Sequence, residues 1–157
     1  MANDGKKSEK IIQDILSEME RKTPFAFDRF YDSHAAGAGK GGNFLPETPA
    51  DYTYRSKKWG GLLEIKSSEK HSSLADCSIR SVFSEHQIMS ARRWERAGGI
   101  NWCIFHDVKG GHFELWNMIW IVKAYLAPAR ERKLKTAGMF GDTRTGDGLY
   151  QILGRHL

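Results

Sequence analysis

The stretch from Asp51 to Lys66 constrains the fold of this 157-residue chain more than any other segment. It reads DYTYRSKKWGGLLEIK, so two apolar segments flank a basic connection that ends in two glycines. This pattern predicts two strands, 52–54 and 62–65, joined as a β-hairpin. Alternate side chains of a strand point to opposite faces, so Glu64 and Lys66 share one face while Leu63 and Ile65 enter the core from the other.

The hairpin also determines which charged groups can meet. Asp51 comes to lie beside Glu64 if the two strands pair in register. Two neighbouring carboxylates repel each other, so their pKa values should rise unless a cation joins them, and oxygen ligands suit Mg²⁺ or Mn²⁺. A metal ion beside an amine is the combination that phosphodiester hydrolysis needs. The alternative is a solvated Glu–Lys ion pair on an outer face, because a lone Glu-x-Lys is common.

A helix predicted at 8–21 carries further acidic residues. Its isoleucines and leucine recur at helical spacing and form one apolar stripe. Glu9 lies at the edge of that stripe, where a carboxylate can complete a metal site. Glu18 and Glu20 share this geometry, so spacing does not choose among the three. A solvated first-turn Glu9, favoured by the helix dipole, is the alternative.

Gln87 lies in the first turn of a second helix, predicted at 84–97 and ended by Gly98-Gly99. Its spacing from Ala91 and Trp94 indicates that it faces inward. It also fits a capping box with Ser84 as the N-cap, and the two roles can coexist.

The remaining pattern predicts the fold class. A weak strand at 25–31, an apolar central strand at 100–105, a strand at 112–116 and a helix at 117–126 complete the order. We expect an α/β protein with a mixed central sheet flanked by helices. Residues 1–127 would form the main domain. Residues 128–157 would form a basic tail packed on or extending it, with six lysines or arginines against three acids from residue 129 onwards.

Composition limits the function classes. The chain has a net charge of +5, a pI near 9.2 and two cysteines, which excludes a disulfide framework or a cysteine-rich zinc site and favours a polyanionic partner. A glycine-rich loop at 34–49 contains Lys40 and is either a mobile surface loop or a DNA-contacting lid. Other basic residues can line a phosphate track, although each alone is explained as a solvated surface charge: Arg55, Lys57, Lys58, Lys70, Arg92 and Arg93.

These motifs together resemble a known family. Gly5 to Leu16, with Glu9 four residues after the glycine, looks like the opening helix of the PD-(D/E)xK nucleases. Asp51 and Glu64-Ile65-Lys66 are similar to the core motif, with Pro49 two residues before the aspartate. Glu85-His86-Gln87 is similar to the helix of RecU-like enzymes. From Gly5 to about Trp116, the chain resembles the Holliday junction resolvases of archaeal and RecU-like bacterial or phage type.

The resemblance implies a restriction-endonuclease-like core and a set of roles. Glu9, Asp51, Glu64 and the Ile65 carbonyl would hold Mg²⁺, with Mn²⁺ as a substitute; Lys66 would orient water and stabilise charge, and Gln87 would support the site. It implies branched DNA as the partner, a homodimer, no small-molecule cofactor and no membrane. With a polar N-terminus and no signal peptide, we expect a cytoplasmic protein, in the host cytoplasm if the chain is phage-encoded.

The expected function is therefore a Mg²⁺-dependent, structure-selective endonuclease acting at four-way DNA junctions. Two alternatives are a sequence-specific restriction or repair nuclease of the same superfamily and a catalytically silent nucleic-acid-binding module.

Overall fold

A computed structural model of the chain describes residues 4–31 and 47–157. Within these residues, six strands form one sheet in the order β1-β2-β3-β4-β5-β6. The strands are β1 Phe25–Arg29, β2 Tyr52–Ser56, β3 Gly60–Ser68, β4 Trp102–Asp107, β5 His112–Asn117 and β6 Met139–Thr143. The helices are α1 Asp4–Lys22, α2 Ile79–Val82, α3 Glu85–Arg96, α4 Met118–Leu126 and α5 Gly146–His156.

The sheet is mixed. β3 and β4 are parallel, and every other neighbouring pair is antiparallel. Parallel neighbours need a long crossover connection, which here contains α2 and α3. The predicted α/β class, with a mixed central sheet flanked by helices, is confirmed.

Helices cover both faces of the sheet and create two apolar cores. On one face, α1 and α5 pack their buried side chains against Leu63, Ile65 and Ile104. On the other face, α3 and α4 pack against Cys103, Phe105 and Trp116. All six residues of β4 are buried, as expected for the apolar central strand predicted there. The alternation in β3 thus sends Leu63 and Ile65 into the first core and turns Glu64 and Lys66 toward the second.

The hairpin and the first two long helices follow the predicted pattern with small shifts at their ends. β3 runs three residues beyond the predicted strand, to Ser68, and α1 starts four residues earlier than predicted. Asn117 is the N-cap of α4, where its side chain accepts a hydrogen bond from the Ile119 N–H. The predicted glycine-rich loop falls outside the described residues up to position 46, and so does Lys40.

The region after Pro128 differs from the sequence expectation, which placed no regular element there. β6 pairs with β5, and α5 contributes Leu149, Ile152 and Leu153 to the first core. The glycine in β6 weakens the strand pattern in the sequence, because glycine is uncommon within strands. A Cβ on Gly141 would lie 2.8 Å from the Ile152 side chain, so the close approach of α5 requires glycine at this position.

No helix in the described ranges combines the length and apolar character needed to cross a bilayer.

Candidate active site

Asp51 lies where the β2–β3 ladder ends. The last cross-strand pair is Tyr52 with Leu63, and Asp51 stands one residue beyond it. Its Oδ2 accepts a hydrogen bond of 2.7 Å from the Ile65 N–H, a donor that a longer β2 would have paired with a backbone carbonyl. The register thereby places Asp51 opposite Glu64 on the same face of the sheet. The structure brings together the two carboxylates that the sequence pairs.

The Ile65 carbonyl points toward the same opening. The N–H and C=O of one strand residue point to the same side, and the Ile65 N–H points to Asp51. Because β2 has ended at this level, the carbonyl faces the gap beside Asp51 and Glu64. Three oxygen-bearing groups therefore converge at the end of β2.

Glu64 is buried, with 3% of its surface exposed. Its Oε1 accepts a hydrogen bond of 2.5 Å from Gln87 Nε2 and lies 2.8 Å from Lys66 Nζ. Its Oε2 is also buried and has no hydrogen-bond partner among the residues that the structure describes. A buried carboxylate oxygen without a partner is costly, so this atom is available to a ligand or cation.

Burial and mutual repulsion change the acidity of both carboxyl groups. Burial, together with the charge of Asp51, raises the pKa of Glu64 to about 7 against the lowering effect of Lys66. Burial also raises the pKa of Asp51, although its hydrogen bond from Ile65 works in the opposite direction. Two neighbouring carboxyl groups with raised pKa values are an arrangement that a bound cation would stabilise.

Lys66 and Gln87 hold Glu64 in position. Lys66 Nζ donates to Gln87 Oε1 at 3.2 Å and lies 5.1 Å from the centre of the Phe83 ring. Gln87 also forms the predicted capping box with Ser84, accepting from the Ser84 N–H at 3.1 Å. Both contacts of Gln87 that the sequence allowed therefore coexist, and the start of α3 is tied directly to the site.

Glu9 lies near the site and is paired with a basic residue of β1. The second turn of α1 is anchored by a 2.7 Å hydrogen bond between Ser8 Oγ and His106 Nδ1 on β4. Glu9 Oε2 pairs with Arg29 Nη2 at 2.7 Å, and its charge still contributes to the raised pKa of Asp51. Glu18 instead pairs with Lys22 farther along the helix. Of the three helix glutamates, Glu9 alone acts electrostatically on Asp51.

The donors fit a hard divalent cation in part. Asp51, Glu64 and the Ile65 carbonyl offer only oxygen, which Mg²⁺ and Mn²⁺ prefer. In the described ranges, however, no group of three or more histidine, cysteine, aspartate or glutamate side chains is placed to hold a metal ion. Glu9, the fourth predicted ligand, is instead paired with Arg29. A metal at this site would be held by Asp51, Glu64 and Ile65, and Glu9 would have to exchange partners to join them.

The basic residues proposed for DNA binding are spread over the molecule. Arg55, Lys57 and Lys58 are exposed on the β2–β3 hairpin, and Arg92 and Arg93 are exposed along α3. Lys70 lies two residues after the end of β3, the strand that carries Glu64 and Lys66.

Two participants were missed by sequence reasoning. Arg29, the partner of Glu9, occupies the weakly predicted first strand. Phe83, which lies against Lys66, is buried after α2. The available signal was the alternation of Phe25, Phe27 and Arg29 on one face, which indicates that Arg29 faces α1.

No protein-family model and no curated protein matches the sequence. Among solved structures, the chain is similar to Hjc, a Holliday junction resolvase from the archaeal hyperthermophile Archaeoglobus fulgidus. The identity is 12%, the TM-score is 0.43, and the match covers 71% of this chain and 78% of Hjc.

Proposed function

We propose that the protein is a Mg²⁺-dependent endonuclease that hydrolyses phosphodiester bonds in branched DNA, with the four-way junction as its substrate. The observation that carries the proposal is the convergence of Asp51 and Glu64 at an open strand end, with Glu64 Oε2 buried and unpaired within the described residues. A structural ion pair would not need a second carboxylate at this position.

The chain's own residues fit the steps of such a reaction. Lys66 presents an ammonium group on the same face as both carboxylates, where it can stabilise the negative charge that develops on the phosphate. Its contacts with Gln87 and Glu64 restrict its position before substrate binds. Bound Mg²⁺ would supply Lewis acidity and a more acidic water. Asp51 and Glu64 would hold that ion, and Gln87 would keep Glu64 aligned.

The substrate class rests on the family resemblance and on charge. The motifs resemble those of junction resolvases, which implies a symmetric dimer whose two sites cut two strands. A net charge of +5 is compatible with a polyanionic partner.

The test compares a four-way junction with linear duplexes of the same arm sequences, with Mg²⁺ and with EDTA. We expect Mg²⁺-dependent cleavage of the junction, and no cleavage by Lys66→Ala or Asp51→Asn, both of which should still bind the junction. Exposed Lys10→Ala on α1 is the matched control for loss of a lysine and should cleave normally.

Each other outcome selects a different function. Equal cutting of junction and duplex would remove the resolvase assignment, and cutting at one sequence in the duplex would indicate a restriction or repair nuclease. Binding without cleavage under any divalent metal would indicate a catalytically silent nucleic-acid-binding module.

A further inference from the structure

Two tryptophans lie together outside both apolar cores. Trp59 ends the turn of the β2–β3 hairpin and is 42% exposed, while Trp94 is half-buried in the last turns of α3. Neither belongs to the two core clusters formed by the described residues. Both residues line one cleft of about 440 Å³ between the hairpin and the end of α3. Large aromatic rings contribute most when buried, so two tryptophans that stay partly exposed at one cleft indicate a surface that a ligand covers.

The walls of the cleft are fixed to each other. The Ile100 N–H donates to the Gly60 carbonyl at 3.0 Å, and the Tyr54 hydroxyl donates to the Ile100 carbonyl at 2.7 Å. The Gly99 N–H donates to the Trp94 carbonyl at 2.8 Å. These bonds join the hairpin, the end of α3 and the strand that follows, so the cleft is formed before any ligand binds.

The charge of the cleft is positive. Arg55 and Lys58 are among its lining residues, and no acidic residue is among those that the structure describes there. Asp28 of β1, an acid on the same sheet face, is the cross-strand partner of Thr53, which lines the cleft. Two aromatic rings with two cations match a ligand that is both flat and anionic.

The cleft and the candidate active site share one face of the same two strands. Alternation on β2 puts Asp51, Thr53 and Arg55 on the face that carries Glu64 and Gly60 of β3. Four residues of strand separate Gly60 from Glu64, which is about 13 Å. Each strand of a DNA duplex rises about 3.4 Å per nucleotide, so roughly four paired nucleotides span this distance.

We propose that this cleft binds an unpaired base of single-stranded DNA, stacked on Trp59, the more exposed of the two tryptophans, with Arg55 and Lys58 contacting the flanking phosphates. The inference rests on the proposed nuclease function and adds that the substrate carries an unpaired stretch about four nucleotides from the scissile bond. A base paired within an intact duplex cannot present its face to the cleft. Stacking on aromatic side chains is how proteins bind unpaired strands without reading their sequence.

The test measures binding of the full chain in EDTA to a fluorescently labelled oligothymidine of about eight nucleotides. We expect Trp59→Ala to weaken binding by about 5- to 100-fold, because stacking on one aromatic ring contributes that much. Trp59→Phe should retain most of the affinity. Leu126→Ala, which removes an exposed apolar side chain on α4, is the matched control and should bind as the unchanged protein does.

An abasic strand of the same length separates stacking from phosphate binding. The unchanged protein and Trp59→Ala should bind this abasic strand with the same affinity. Arg55→Ala and Lys58→Ala should each reduce the slope of log affinity against log salt by about one. Equal affinity of Trp59→Ala and the unchanged protein for oligothymidine, with both folded by circular dichroism, would overturn the inference.

These outcomes are independent of the nuclease proposal, because binding is measured without metal. If the protein cleaves junctions while Trp59→Ala binds oligothymidine normally, the cleft inference alone fails. If Trp59→Ala loses binding while no metal supports cleavage, the cleft inference stands and the nuclease proposal fails.

Discussion

Glu64 and Glu114 are two buried carboxylates on the same face of one sheet, and their environments are opposite. Glu114, 2% exposed, accepts at Oε2 from the Leu74 N–H at 3.0 Å and from Trp116 Nε1 at 2.6 Å, and its Oε1 lies 4.0 Å from His112 Nδ1. Glu64, 3% exposed, has both its donors on one oxygen and, in the described residues, none on the other. Asp51 adds a second negative charge beside it.

The difference indicates a structural role for Glu114 and agrees with the proposed role of Glu64 in binding a cation. Glu114 joins the segment before α2 to β5, and its hydrogen bonds compensate for its burial. Glu64 is left with an uncompensated oxygen and a like charge, an arrangement that costs stability unless a cation is present.

The largest expected contrast is in cleavage. Glu64→Gln removes the charge that the proposed site requires and should lower junction cleavage about a thousandfold or more. Glu114→Gln is the matched substitution and should cleave at a rate within a few-fold of the unchanged protein. Comparable losses in both variants, measured at a temperature where both are folded, would break the distinction.

The second contrast concerns pH and stability without metal. Below about pH 4.5 Glu64 is protonated in both the folded and the unfolded chain. As pH rises toward 7, the unfolded chain releases its proton first, so the folded state loses stability progressively up to about pH 7. Glu64→Gln has no titrating group at this position. Between pH 4.5 and 7, the free energy of unfolding of the unchanged protein should therefore fall by about 3 kcal/mol relative to that of Glu64→Gln. Denaturant unfolding in EDTA measures the difference, and a gap that does not change with pH would contradict the raised pKa.

A smaller effect is expected for the structural carboxylate. Glu114→Gln replaces a charged acceptor by a weaker neutral one and should lower the free energy of unfolding by about 1–3 kcal/mol. Trp116→Phe removes one of the two donors and keeps an aromatic ring. In the Glu114→Gln background it should lower the free energy of unfolding by less than it does in the unchanged protein. Strict additivity of the two changes would show that the charge of Glu114 does not strengthen this bond.

Local patterns predicted much of the fold and part of the site. The two-residue period of the hairpin places Glu64 and Lys66 on one face and Asp51 beside them, and the apolar run at 100–105 is the buried β4. β6 was missed because Gly141 allows close packing there, and the reason for that glycine is the distant residue Ile152.

Other features of the site depend on contacts between residues far apart in sequence. Helical spacing cannot choose among Glu9, Glu18 and Glu20, since the pairing of Glu9 with Arg29 joins residues 20 positions apart. Glu114 was missed for the same reason, because its Leu74 donor lies 40 positions away. The Ser84–Gln87 capping box, in contrast, was readable because both partners lie in one turn.

Titration calorimetry with Mn²⁺ or Mg²⁺ tests the central claim most directly. We expect saturable binding by the unchanged protein and by Glu114→Gln, and loss of that binding in Glu64→Gln and in Asp51→Asn. Binding that persists unchanged in both Glu64→Gln and Asp51→Asn, or that is absent from the unchanged protein, would contradict the claim that these two carboxylates form a divalent-cation site.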